Sequence, residues 1–162
     1  MTYYVPRMTT LYEADLYTWA MSQAEALRAA ARLKLNTPLE LDWENLAEEI
    51  ETLGRSQARE LRSRYFRLLA HLLKWGFQPD KRTSGWIETI VEQRTEIESL
   101  LADNPGLKPQ RQERFRAAYG SVHDLAARET RIGRAAFPPE CPYTLEEAMD
   151  PDFWPGPPSD PD

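Results

Sequence analysis

The sequence predicts an all-α fold: an up-down helical bundle of about five main helices, with a short C-terminal helix and a proline-rich strap. Three observations carry this. Apolar residues recur at three- and four-residue spacing along most of the chain, and no run alternates with the period of two that a strand requires. Ser, Thr, Asp, Gly and Pro punctuate the borders of those runs, where helices start and stop. Eight of the thirteen prolines fall between Pro138 and Pro161, where no long helix fits. The 162 residues suffice for one hydrophobic core, so a single helical domain is expected over 1–155, with a frayed tail at 156–162. No internal repeat appears.

The first period runs from Tyr12 to about Leu33 through Leu16, Trp19, Ala20, Ala24, Leu27 and Ala31, with Thr10 or Thr9 as cap. Asn36-Thr37-Pro38 ends it, because proline disfavours helix in the residue before it. Asp42 caps the second helix, 43–53, whose apolar face is Trp43, Leu46, Ile50 and Leu53, with Glu44, Glu48 and Glu51 on the other side. Gly54 fits a C-terminal cap and Ser56 the next N-cap, which starts a third helix at 57–76. One continuous helix through Gly54 is the alternative, at a cost of about 1 kcal/mol. The third helix carries two apolar rows: Ala58, Leu61, Tyr65, Leu68, Leu72 and Trp75, then Phe66, Leu69 and Leu73. An arc that wide contacts several neighbours, which makes this helix central.

After the turn at Gln78–Thr83, Thr83 or Ser84 caps a fourth helix reaching about Ala102 through Ile87, Ile90, Val91, Ile97 and Leu101. Asp103-Asn104-Pro105-Gly106 stops it. The fifth starts near Pro109 and continues through Phe115, Ala118, Tyr119, Val122, Leu125 and Ala126 to about Arg131, with Gly133 as its stop. Thr144-Leu145-Glu146-Glu147 is a capping box for the short helix leading to Met149. Residues 137–154 are expected to strap across the bundle, anchored by Phe137, Tyr143, Phe153 and Trp154.

Polar residues interrupt the apolar faces at Gln23, Arg94 and Glu129. Arg62 falls inside the broad arc of the third helix, and His71 lies beside it. A charge on a core face must be paired, hydrated or used. Placed by level along an up-down bundle, at about 1.5 Å per residue, these residues spread out. Arg94 falls level with Arg67 and Trp43, and Gln23 falls level with Leu53 at the opposite end. Arg94 and Glu129 come out roughly 20 Å apart. His71 lies about 6 Å from the Arg94 level, and Arg62 reaches the level of Glu49, a plausible partner. Local satisfaction is favoured over a shared site. The candidate cluster, if one exists, is His71, Arg94, Arg62, Glu49 and Glu129.

Composition narrows the function classes. A net charge of −6 disfavours non-specific binding to nucleic acid or anionic membrane. A basic row, Arg64, Arg67, His71 and Lys74, lies on the third helix with Arg55 and Arg59 upstream, and salt bridges to neighbouring glutamates are its favoured use. One cysteine, Cys141, excludes an internal disulfide and a cysteine-based zinc site, and its flanks, Glu140 and Pro142, hold no base to activate it. Neither His71 nor His123 has a glutamate three residues before it, so a helical di-metal site is not indicated. No nucleophile elbow is legible, and no metal or cofactor is implied. No apolar run approaches a membrane span and the N-terminus lacks a signal-peptide pattern, so a cytoplasmic location is expected. Trp43, Trp86, Trp154, Phe77 and Tyr143 exceed what a small bundle must bury. Some should cover the strap, and the rest would serve a homodimer or a protein partner.

Four blocks in order also carry a resemblance: Tyr12-Glu13-Ala14-Asp15-Leu16-Tyr17-Thr18-Trp19; Leu46-Ala47-Glu48-Glu49-Ile50-Glu51 followed by Gly54-Arg55-Ser56; His71-Leu72-Leu73-Lys74-Trp75 with Gln78-Pro79; and Phe137-Pro138-Pro139-Glu140-Cys141-Pro142-Tyr143 with Asp150-Pro151-Asp152-Phe153-Trp154-Pro155. Over about 10–155 the chain resembles the bacterial domain-of-unknown-function family twenty-nine. The resemblance implies a single helical domain from a bacterium. It implies no activity and supplies no catalytic residues. The leading expectation is a non-enzymatic interaction or regulatory module. The alternatives are a small-ligand or enzymatic site around His71 and Arg94, and nucleic-acid binding through Arg64, Arg67 and Lys74.

Overall fold

The computed structural model describes residues 10–33, 41–130 and 137–156, apart from the side chains at positions 126, 127, 129 and 130. Among the described residues all regular structure is helical: α1 (Leu11–Ala14), α2 (Leu16–Arg32), α3 (Trp43–Phe77), α4 (Ser84–Asp103), α5 (Arg111–Thr130) and α6 (Leu145–Met149), with 3-10 turns at Pro79–Lys81 and Pro105–Gln110. The all-α expectation holds. No described helix is long and apolar enough to cross a membrane. The expected helix stop at Gly133 and the tail beyond Gly156 lie outside the described residues. The chain packs as two compact units, Met1–Ala58 with Leu101–Lys108, and Arg59–Leu100 with Pro109–Asp162.

In the first unit, Thr10 forms a capping box with Glu13, as its position suggested. The single helix expected from Tyr12 is instead broken at Asp15. Asp15 leaves helical geometry and caps α2, accepting from Thr18 N at 2.9 Å and Thr18 Oγ1 at 2.8 Å. The same carboxylate accepts from Gly106 N at 2.6 Å, and Asn104 Oδ1 accepts from Tyr17 N at 3.1 Å. Two orphan N–H groups of the α2 first turn are thus satisfied by two enclosed side chains, Asp15 (8% exposed) and Asn104 (2% exposed). A Cβ on Gly106 would lie 2.0 Å from Thr18 Oγ1, so this approach requires glycine.

Asp42 caps α3, accepting from Asn45 N at 3.2 Å. The helix then runs on through Gly54, so the expected pair of helices at 43–53 and 57–76 is one helix. Gly54 is not a cap. It is a site of close approach by α2: a Cβ there would sit 3.2 Å from Ala20 Cβ and 3.2 Å from Met21 Sδ. Tertiary contact thus compensates the helix penalty of a mid-helix glycine. The core of this unit is correspondingly rich in small residues, Ala20, Ala24, Ala47 and Ala58, with Leu107 as its one large enclosed apolar side chain. Gln23, expected on the buried face of the first helix, is exposed, because that face is centred on Ala20 and Ala24.

The second unit has a large-residue core. From α3 it takes Leu61, Tyr65, Leu68, Leu69, Leu72 and Leu73; from α4, Ile90 and Ile97; from α5, Phe115, Ala118, Tyr119 and Val122. Tyr65 meets Phe115 edge-on at 5.5 Å between centroids. Thr83 Oγ1 accepts from Trp86 N at 3.3 Å and caps α4. The α4 face is rotated from the expected one. Ile87 (40% exposed) and Val91 (50% exposed) point outward, and Gln93 (2% exposed) takes an inner position. The strap forms as expected, with the Thr144–Glu147 capping box opening α6. Phe137 against Phe77 at 4.8 Å and Trp154 against Trp75 at 4.9 Å anchor the strap to α3, as does Tyr143 through Leu72 O, while Phe153 packs on Tyr143 within the strap at 5.6 Å. Helix α5 starts at Arg111 rather than Pro109, which lies inside the preceding 3-10 turn.

Candidate interaction site

Arg94, the sharpest anomaly in the sequence, is 5% exposed and has its partners in the strap. Its Nε donates to Ala148 O at 2.9 Å, its Nη1 to Pro151 O at 3.3 Å and its Nη2 to Phe153 O at 2.8 Å. The guanidinium lies 5.5 Å from the Trp154 ring. Ala148 O belongs to the last turn of α6, so Arg94 serves as that helix's C-terminal cap. Burial pushes the guanidinium pKa down, and the nearby Asp150 charge opposes this. Arg82, read in the sequence only as part of a turn, repeats the device: its Nε donates to Trp75 O at 2.9 Å and its Nη2 to Pro155 O at 3.4 Å, with the guanidinium 4.6 Å over the Trp75 ring.

The other candidates make separate contacts. Arg62 Nη2 donates to Ser121 Oγ at 3.0 Å. The expected Arg62–Glu49 pair does not form, because both lie on the continuous α3, about 20 Å apart along its axis. Glu49 is exposed. His71 is half-buried, and its Nδ1–H donates to Arg67 O at 2.9 Å within its own helix. The Glu129 side chain lies outside the described residues. In the basic row, Arg64 pairs with Glu60 at 2.8 Å and Glu96 at 3.4 Å, while Arg67 is exposed and Lys74 half-buried. Arg55, upstream, pairs with Glu48 and Glu51.

A cleft of about 780 Å³ opens in the second unit between α5 and the strap. Phe115, Tyr119, Cys141 and Tyr143 line it, with Gln112, Arg116, Glu140 and Glu146 among its polar residues. Tyr119 Oη donates to Pro138 O at 2.5 Å and Tyr143 Oη to Leu72 O at 3.5 Å. Burial pushes the Cys141 thiol up to about 11 and the Tyr119 phenol to about 12, and it also raises Tyr143. All three stay protonated near neutral pH, so none is an activated nucleophile or base. Among the described residues, no group of three or more His, Cys, Asp and Glu side chains could hold a metal ion.

The clearest surface feature is on the first half of α3. The stripe Trp43, Leu46, Ile50 and Leu53, expected as a core face, is not one. Leu46 is 42% and Leu53 39% exposed, and Trp43 and Ile50 are half-buried. At about 100° per residue, Ala47, Gly54 and Ala58 face the core and the leucines lie roughly a quarter-turn away. Glu51, expected to point outward, sits beside the core with 13% of its side chain exposed. Hydrogen bonds from Arg28 and Arg55 hold its carboxyl below the usual range.

Fold and contacts together define a helical protein in which the enclosed Asp15, Arg94 and Asn104 hydrogen-bond backbone groups, while the enclosed Gln93 leaves its Oε1 without a hydrogen-bond partner. The chain belongs to the family described as Domain of unknown function DUF29, whose model matches residues 11–154. It is similar to a crystal structure of an alpha-helical protein of unknown function from Rhodospirillum rubrum ATCC 11170. That likeness has 27% identity and a TM-score of 0.68, and covers 90% of this chain and 93% of the other. No curated protein matches. Nothing in the family or the neighbour indicates a specific activity.

Proposed function

We propose that this chain is a non-enzymatic interaction or regulatory module of the bacterial cytoplasm, and that it works by docking a protein partner on the exposed stripe of α3. The observation that carries this reading is the outward placement of Leu46 and Leu53 on the first half of α3, whose core face is built from Ala47, Gly54 and Ala58. An isolated exposed leucine is ordinary, but a stripe at 3-4-3 spacing is the seam a second helix takes. The polar residues that could have signalled chemistry support it further, since Arg94, Asp15 and Asn104 are used on backbone groups. The test is a photo-crosslinker placed at position 46, with one at Glu98 on α4 as control. Position 46 should give a discrete protein adduct and the control none. A monomer by light scattering with no adduct from position 46 contradicts the proposal.

A further inference from the structure

Resting on that reading, we infer that the α3 stripe accepts a basic amphipathic helix from a partner protein rather than a second copy of this chain. The argument is charge. Between Leu41 and Gly54 the sequence holds five acidic residues, Asp42, Glu44, Glu48, Glu49 and Glu51, and no lysine or arginine. Arg28 and Arg55 are committed to Glu48 and Glu51. These pairs lie on the flank of α3 next to α2. The open flank is different. At about 100° per residue, Glu49 comes next round the helix after Leu46 and Leu53, on the side away from the core, and the N-cap Asp42 adds a carboxylate just before the first turn. Asp42 and Glu49 are both exposed. The surface therefore reads as an apolar seam with the core on one side and an acidic row on the other.

A helix seated in such a seam places its own flanking residues opposite that row, and lysine or arginine there is the complement. A second copy is the wrong occupant. In an antiparallel self-pair the Glu49 rows would face each other, and two chains of net charge −6 repel over a longer range. The seam spans about three turns of helix, so a partner segment of about fourteen residues covers it.

The experiment uses the full chain and two fluorescent fourteen-residue peptides with identical leucine spacing, one with lysine and one with glutamate at the polar positions. Anisotropy titration of the Leu/Lys peptide should saturate and weaken with added salt, and the Leu/Glu peptide should not bind. Glu49→Lys should weaken the Leu/Lys peptide about tenfold. The double variant L46D/L53D should abolish binding while keeping its helical circular dichroism. Equal binding of the two peptides, absence of binding by both, or unchanged binding by L46D/L53D overturns the inference. A wild-type dimer that L46D/L53D dissociates also overturns it, but leaves the interaction module standing with a second copy as partner.

Discussion

Over Trp43–Ala58, α3 encloses Ala47, Gly54 and Ala58 and turns Leu46 and Leu53 to solvent, whereas over Arg59–Phe77 it encloses Leu61, Leu68, Leu69, Leu72 and Leu73. One helix thus follows two rules. In its first half the deciding contact is the approach of α2, which is close enough that only small side chains fit at Ala20 and Gly54. Large apolar residues are displaced to the margin. In its second half size and burial agree from Leu61 to Leu73, and the comparable close approach comes only at the end, where a Cβ on Gly76 would lie 3.1 Å from Tyr143 Oη and 3.3 Å from Pro155 Cβ. The polar devices differ in the same way. The first unit satisfies orphan N–H groups with the acceptors Asp15 and Asn104, and the second adds to its threonine caps the donors Arg94 and Arg82, which satisfy orphan carbonyls. Apolarity alone therefore does not identify a core face: the backbone separation of the neighbouring helix does.

The contrast can be broken most strongly in the second half. Leu68 is fully enclosed, so Leu68→Ala should lose about 2–5 kcal/mol, read as a lowered urea midpoint at constant m. Arg94→Ala removes three donors from strap carbonyls and should cost about 3 kcal/mol. It should also release the Trp154 contact, seen as a red shift in tryptophan emission. Arg94→Lys should recover only part of the loss, since one ammonium cannot reach three carbonyls in that fork. Gly54→Val tests the first half through size: its branches meet Ala20 and Met21, and about 1–3 kcal/mol should be lost.

A pH titration probes the second unit by a smaller effect. Tyr65 and Tyr119 are both held near 12 by burial, against an ordinary value of 10.0. Their folded values lie above the unfolded ones. The stability they contribute is therefore complete below pH 10 and is lost as pH rises toward 12. The urea midpoint should fall across that window, together with a late component of phenolate absorbance, from the buried tyrosines, that appears on unfolding. Tyr65→Phe should flatten part of the decline.

Much of the fold was legible because it depends on local chemistry. Asp42, Thr83 and Thr144 cap the helices their positions suggested, Thr10 caps the one-turn α1, and Phe137, Tyr143 and Trp154 anchor the strap. What was not legible depends on distances between helices. A glycine that ends a helix and one that admits a neighbour look alike in sequence, so the sequence favours a cap at Gly54 and the structure has the alternative, one continuous helix. The cap reading also set the levels of the residues before and after Gly54, and with them the Arg62–Glu49 pairing. Asp15 lay within an unbroken apolar period, and its spacing to Thr18 was the one sign of a cap. The partners of Arg94 are backbone carbonyls, which carry no residue signature at all.

The most direct measurement of whether the α3 stripe is surface or core is the urea unfolding of L46D/L53D beside Leu68→Asp. If the stripe is a docking surface, the double variant unfolds within about 1 kcal/mol of wild type while Leu68→Asp fails to fold. If L46D/L53D collapses as Leu68→Asp does, the leucines are core and the docking surface does not exist.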